Sequence, residues 1–336
     1  MSENKQRGKS MKLSAIFSLL LFSLNVVVQS QQTNSTIFHN GEMRPSSRSG
    51  YVVAFDSKKK RVILYGGLDA NNKRLSDTWS WHRKLWTQLK IEGPGARQDS
   101  QMAFDSKRSC VILFGGLSEK SRMGDTWELC GDTWKMVKSD GPPARILGAM
   151  TFDAKRGRTV LFGGSDTKRK PLGDTWEWDG ANWTKVSETG PQPRGSHGLT
   201  YHAGRKTVIL LDGYTDNAIN DMWERDGKTW RELPKPTMPA RLHFALGYDN
   251  NHKRLVVFGG FGDEARLSDT WEWDGKNWQE FKTNAPEPRA KHDGVYFAGK
   301  GFVIFGGVIG QELDADKRGR ANDTWFWDGK YWHSGN

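Results

Sequence analysis

The sequence predicts an all-β chain, a β-propeller of four-stranded antiparallel blades, on three observations. A tryptophan-rich frame recurs six times, as DTWSWHRKLW from Asp77, DTWELCGDTW from Asp125, DTWEWDGANW from Asp174, DMWERDGKTW from Asp221, DTWEWDGKNW from Asp269 and DTWFWDGKYW from Asp323. An arginine soon after a proline opens each unit, at Arg48, Arg97, Arg145, Arg194, Arg241 and Arg289. The steps of 47 to 49 residues are those of propeller blades and not of helical solenoids. Helical periodicity is absent throughout.

Each unit holds four short runs with strand chemistry. The first surrounds the Phe or Tyr seven residues after the arginine. The second is an apolar run into a glycine pair, VILYGG to Gly67, VILFGG to Gly116, TVLFGG to Gly164, LVVFGG to Gly260 and FVIFGG to Gly307. The fourth copy reads VILLDG to Gly213, with Asp212 in place of the first glycine, because Asp is among the residues that tolerate left-handed geometry. The third run is Thr-Trp-x-Trp, whose alternation places both indoles on one strand face, where large rings fill the wedge between blades. The last starts at the final tryptophan of the frame.

These linked motifs resemble the Kelch-repeat family, in a secreted bacterial style where Asp-Thr-Trp-x-Trp-Asp-Gly ends the unit. The resemblance covers residues 45–336 and implies a six-bladed Kelch-type β-propeller. It implies little about activity, since function lives in sites grafted on folds. The approach IFHNGEMRPSSR to Arg48 has the spacing of Trp86 to Arg97, so residues 31–44 are expected to complete the ring against blade six.

Residues 1–30 read as a secretory signal peptide: Lys5, Arg7, Lys9 and Lys12 precede the apolar run Leu13–Val28, which is short for a membrane span. An uncleaved anchor is the alternative. The expected location is therefore extracellular or periplasmic. The formal net charge is +11, of which the first thirty residues hold three, leaving +8 and favouring anionic partners. Nucleic acid is disfavoured by secretion, and the ring is expected to be a monomer. Cys110 and Cys130, the two cysteines, fall on facing positions of adjacent strands, where other repeats hold polar pairs such as Arg158 with Asp179. A disulfide and two buried thiols both remain open.

By resemblance, the six arginines face the mouth reached by the loops between second and third strands, and in intracellular Kelch adaptors arginines at that position bind acidic peptides. Lys73, Arg74, Lys120, Arg122, Lys168, Arg169, Lys170, Arg266, Lys317, Arg318 and Arg320 make those loops basic. An architectural reading competes, because each arginine is matched by a frame aspartate (Asp77, Asp125, Asp174, Asp221, Asp269, Asp323). Three residues after each arginine the repeats differ: Tyr51, Ser100, Gly148, His197, Phe244 and His292, expected near the channel, with His243 pointing away. Of these Tyr51, His197 and His292 join the arginines as candidate binding residues. The loop 308–322, long and polar, reads as a lid or an excursion. All 16 tryptophans belong to the frame, which disfavours a lectin that stacks neutral sugars.

No nucleophile triad, metal set or phosphate loop is present in the pattern, and no cofactor is expected. The leading expectation is a binding propeller without catalysis that engages a protein or an anionic glycan through its basic loop face. The alternative is a carbohydrate-active Kelch enzyme, such as a sialic-acid mutarotase-like epimerase, with His197 and His292 moving protons.

Overall fold

The apolar second run of each repeat becomes the buried centre of a blade. In a computed structural model, which describes residues 36–39, 42–310 and 319–335, six four-stranded antiparallel sheets follow one another in sequence order. Blade one is Val52–Asp56, Arg61–Tyr65, Thr78–His82 and Leu85–Leu89. Blade six is Asp293–Phe297, Gly301–Ile309, Gly319–Trp327 and Trp332–Ser334. The four between repeat this pattern, and no helix occurs among the described residues. The fold is the expected six-bladed β-propeller. Residues 1–30, and with them the expected signal peptide, lie outside the described residues, as does 311–318 of the long loop.

Each seam between blades has its own apolar cluster. Tyr65, Met102, Val111, Leu113 and Trp134 fill the seam of blades one and two, and Tyr51, Val62, Leu64, Trp79, Trp81, Phe297, Val303 and Phe305 fill that of six and one. Both indoles of a Thr-Trp-x-Trp run pack on the same side, toward the preceding blade, as the strand period requires. The threonine of the frame has a role of its own. The final tryptophan of a blade donates its indole N–H to the threonine hydroxyl of the blade before it, in Trp134 to Thr78, Trp183 to Thr126, Trp230 to Thr175 and Trp332 to Thr270, and Trp86 to Thr324 closes the ring, all at 2.8–3.0 Å. Each such bond contributes about 1 kcal/mol and also satisfies a buried donor.

Blade six draws all four of its strands from 293–334, so the N-terminal tail adds no strand there. The tail instead forms a hairpin of Thr36–His39 with Glu42–Pro45, and the second of these runs beside Leu85–Leu89 of blade one. The C-terminal Trp332–Ser334 already occupies the place the spacing had suggested for the tail, and the ring closes through packing of blade six on blade one and the Gly50 N–H to Lys291 carbonyl bond at 3.0 Å. Cys110 and Cys130 stand opposite each other across the second and third strands of blade two, with Cα atoms 4.4 Å apart, and are disulfide-bonded.

Blade four departs from the frame in several places at once. Met222 replaces the threonine, and the indole nitrogen of Trp278 is left buried without a partner. Arg225 replaces the second tryptophan and reaches Glu177 at 3.3 Å. Asp212 stands where other blades have glycine, at φ 52°, fully buried, with neither carboxylate oxygen in hydrogen-bond geometry to any partner. Burial pushes its acid group well above the ordinary value, against the attraction of Arg241. The native state thus holds a proton that the unfolded chain releases, and stability is lost as pH rises past the ordinary carboxylate range. Asp212→Gly is therefore expected to stabilise the ring by about 1–3 kcal/mol in urea unfolding at pH 7 and by less at pH 4. A destabilised variant would mean that the carboxyl is ionised and paired in the native state.

Candidate functional site at the loop mouth

First strands begin where second strands end, since Val52 pairs with Tyr65, so the opening arginines and the loops after the glycine pairs share one end of the ring. At that end the arginines are not free. Each Nη1 donates to the carbonyl of the first glycine position of its own blade at 2.9–3.0 Å. Each guanidinium also forks onto the frame aspartate, as in Arg145 to Asp174 at 2.7 and 2.8 Å, and Nε donates to the carbonyl two residues back, as Arg145 does to Pro143. The same carboxylate accepts the indole N–H of the first tryptophan at 2.5–2.9 Å in all six blades. All six arginines are at most 2 % exposed. Burial would raise the carboxyls of Asp125, Asp174 and Asp323, but the arginine fork outweighs it and holds them below the ordinary range. These are architectural clamps, and a ligand could reach the guanidinium groups only by breaking them.

The histidines three residues after the arginine are likewise buried. The His197 ring packs edge-on against Phe162 of blade three at 5.4 Å, and His292 against Phe258 of blade five at 5.5 Å. Burial, and secondarily Arg194 or Arg289, pushes the basicity of each down to about 3. Tyr51 sits in the equivalent place at the seam with blade six, edge-on to Phe305, and its hydroxyl donates to the Phe305 carbonyl. The period of two puts this column on one strand face, which packs against the neighbouring blade and also borders the axial cavity.

The mouth itself is built one residue earlier. Gly50, Asp99, Leu147, Ser196, His243 and Lys291 all have left-handed backbone, with φ between 54° and 62°. Each N–H donates to the carbonyl of its counterpart in the preceding blade: Asp99 to Gly50, Leu147 to Asp99, Ser196 to Leu147, His243 to Ser196, Lys291 to His243, and Gly50 to Lys291, at 2.7–3.1 Å. The six bonds form a closed collar that ties every blade to the next. Inside it runs an axial cavity of about 520 Å³ lined by the first strands of all six blades.

Because the collar's backbone groups are spent on each other, only its side chains can meet a ligand. Asp99 accepts from Gln98 Nε2 at 2.8 Å, and His243 Nε2 lies 3.3 Å from Ser196 Oγ. Burial, with the nearby Lys291 charge, pushes His243 down to about 3. His243 therefore does not point away as expected; it stands on the mouth. Lys291 is half-buried beside it, and no acid pairs with it among the described residues.

Around the collar, Lys73, Lys120, Lys168, Arg169 and Lys170 are exposed. Arg74 pairs with Glu119 at 2.9 Å, Arg122 donates to Ser165 Oγ, Arg266 is buried and donates to the Gly310 carbonyl, and Arg320 donates to Ser49 Oγ. Blades four and five instead present Tyr214, Asp216, Asp263 and Glu264. The positive charge is thus concentrated over blades one to three, with Lys317 and Arg318 outside the described residues.

No family model matches the chain, and no curated protein matches it. Among solved structures it is similar to one titled "Structure of YjhT", at 14% identity and a TM-score of 0.67, over 87% of this chain and 98% of that one. At that identity the likeness shows the propeller fold.

The collar escaped sequence reasoning because its six residues share no side-chain type; what they share is backbone conformation. One signal was available. In a repeat protein, constant columns are architectural, and the column two residues after the arginine is among the most varied.

Proposed function

We propose that the chain is a secreted propeller of Kelch type that binds an anionic ligand, an acidic glycan or an acidic protein segment, at the loop mouth without catalysis. One observation carries this reading. The arginines are locked in clamps, yet positive charge remains exposed around the mouth in Lys73, Lys120, Lys168, Arg169 and Lys170, with Lys291 at the collar. Lysines on mobile stems over an axial cavity attract anions by field focusing and do not impose fork geometry. The catalytic alternative relied on His197 and His292, which line the axial cavity but are 7% and 4% exposed. They pack edge-on against Phe162 and Phe258, and burial keeps both neutral. No helix of the described residues is long and apolar enough to cross a membrane.

The test is a titration of the compact unit Thr33–Asn336 with uronic-acid or sialylated oligosaccharides, neutral oligosaccharides and Asp/Glu-rich peptides, at low and high salt. Binding confined to acidic ligands and weakened by salt is expected. Salt-insensitive binding of neutral sugars would overturn the reading.

A further inference from the structure

The end of the ring opposite the loop mouth carries the turns between first and second strands and those between third and fourth. In five blades the latter turn contains an aspartate, Asp132, Asp179, Asp226, Asp274 or Asp328. Asp132 offsets the cations of the turn beside it, meeting Lys59 at 2.7 Å and Arg61 at 2.6 Å, while the other four accept backbone N–H groups of their own turns. Blade one differs. Its turn reads His82-Arg83-Lys84-Leu85, and its other turn reads Ser57-Lys58-Lys59-Lys60. The two are tied together where His82 Nδ1 meets the Lys60 carbonyl at 2.7 Å.

Five basic residues thus crowd two adjoining turns, and all five are exposed; Asp56, which precedes the first turn, is buried and is taken up by the Lys59 backbone N–H and Arg61. Lys59 is engaged by blade two, and Lys84 lies over the Phe326 ring of blade six at 5.7 Å. Lys58, Lys60 and Arg83 have no side-chain partner among the described residues. The backbone makes the substitution costly: Arg83 and Lys84 have φ of 51° and 69°, a two-residue hairpin geometry that favours Asn-Gly or Asp-Gly.

Apolar groups accompany the charge. Leu85 is 53% exposed at the end of the same turn, and Tyr331, 48% exposed, occupies the corresponding turn of blade six, the blade whose Phe326 Lys84 covers. Protruding tips with flexible lysines, a leucine and a tyrosine enclose no discrete group, but they can approach a plane that is anionic outside and apolar just beneath.

We propose that the underside of blade one is a docking surface for an anionic phospholipid bilayer. It is distinct from the loop mouth and leaves that mouth facing away from the membrane. The contact is peripheral: Lys58, Lys60, Arg83 and Lys84 attract the headgroups, and Leu85 and Tyr331 enter the interface.

The experiment is co-sedimentation of Thr33–Asn336, whose closing contacts all lie within the described ring, with vesicles of phosphatidylcholine alone and of phosphatidylcholine with phosphatidylglycerol. The key variant is Arg83→Asn with Lys84→Gly, which removes two charges while restoring favoured turn residues, so its thermal midpoint is expected to rise. Its affinity for the anionic vesicles is expected to fall by roughly fivefold per charge, on the order of twenty-fold for the pair. Lys168→Ala with Lys170→Ala, on the opposite face, is expected to bind vesicles as the parent does, which separates this proposal from the loop-mouth reading. Equal binding to both vesicle types, undiminished binding by the turn variant, or a turn-dependent preference for soluble heparin with no vesicle binding would each overturn it.

Discussion

Arg145→Ala is expected to destabilise the ring by about 3–5 kcal/mol, the cost of removing one partner from a buried, hydrogen-bonded ion pair. The guanidinium is fully buried and holds Asp174, the Gly163 carbonyl and the Pro143 carbonyl at 2.7–3.0 Å. Without it, Asp174 keeps the Trp176 indole, at 2.7 Å, as its side-chain partner. A clamp joins the opening of the first strand, the end of the second and the start of the third, so its loss loosens three strands of one blade together. Urea unfolding measures the effect. Arg145→Lys is expected to recover little of it, because an ammonium cannot reproduce the planar fork. If these arginines existed for ligands, Arg145→Ala would unfold close to the parent and lose binding instead.

The second large effect is on pH. His197 and His292 ordinarily titrate near 6.5, and burial lowers both to about 3. In that window the unfolded chain binds protons that the native state refuses, so their contribution to stability is lost as pH falls below about 6.5. At pH 5 each costs about 2 kcal/mol more than at pH 7. The parent's own pH curve mixes several groups. Asp293 is raised to about 6 and Asp212 is raised, by burial in both cases, and these favour the native state as pH falls, while His243 and His202, lowered to about 3 and about 4, oppose it. The clean measurement is a difference. The molecule supplies the replacements itself, since Phe244 and Tyr51 occupy the equivalent column. His197→Phe with His292→Tyr is expected to gain about 4 kcal/mol on the parent between pH 7 and pH 5 in urea unfolding. The clamp aspartates, held below the ordinary carboxylate range, lose their contribution only at still lower pH. A pH-independent difference would mean that the two rings are charged, and hence solvated, in the native state.

The blades were legible because side-chain type determines them: apolar runs, glycine pairs and tryptophans at fixed offsets each demand one environment. The pairing of arginine with frame aspartate was legible as one of two readings, and only the burial of all six guanidinium groups chose between them. The facing positions of Cys110 and Cys130 followed from hairpin counting. What was not legible depended on what lies across a seam. Strand period gives the face on which His197 stands, but not that Phe162 of another blade covers that face. The collar is a property of backbone conformation shared by Gly50, Asp99, Leu147, Ser196, His243 and Lys291, of which Leu147, Ser196 and Lys291 give no sign of left-handed geometry in their side chains. The closing of the ring was misjudged for a similar reason. Matching spacing suggested that the tail would add a strand to blade six, whereas Trp332–Ser334 fills that place and Trp86 reaches back to Thr324.

The central claim is that the arginine ring holds the fold while lysines at the mouth meet the ligand. Calorimetric titration of the acidic ligand into Lys291→Asn tests it most directly, because Asn tolerates the left-handed backbone at this position and leaves the collar bonds in place. The account predicts an unchanged thermal midpoint with weaker, less salt-dependent binding. Full affinity and an undiminished salt dependence in that variant would contradict it.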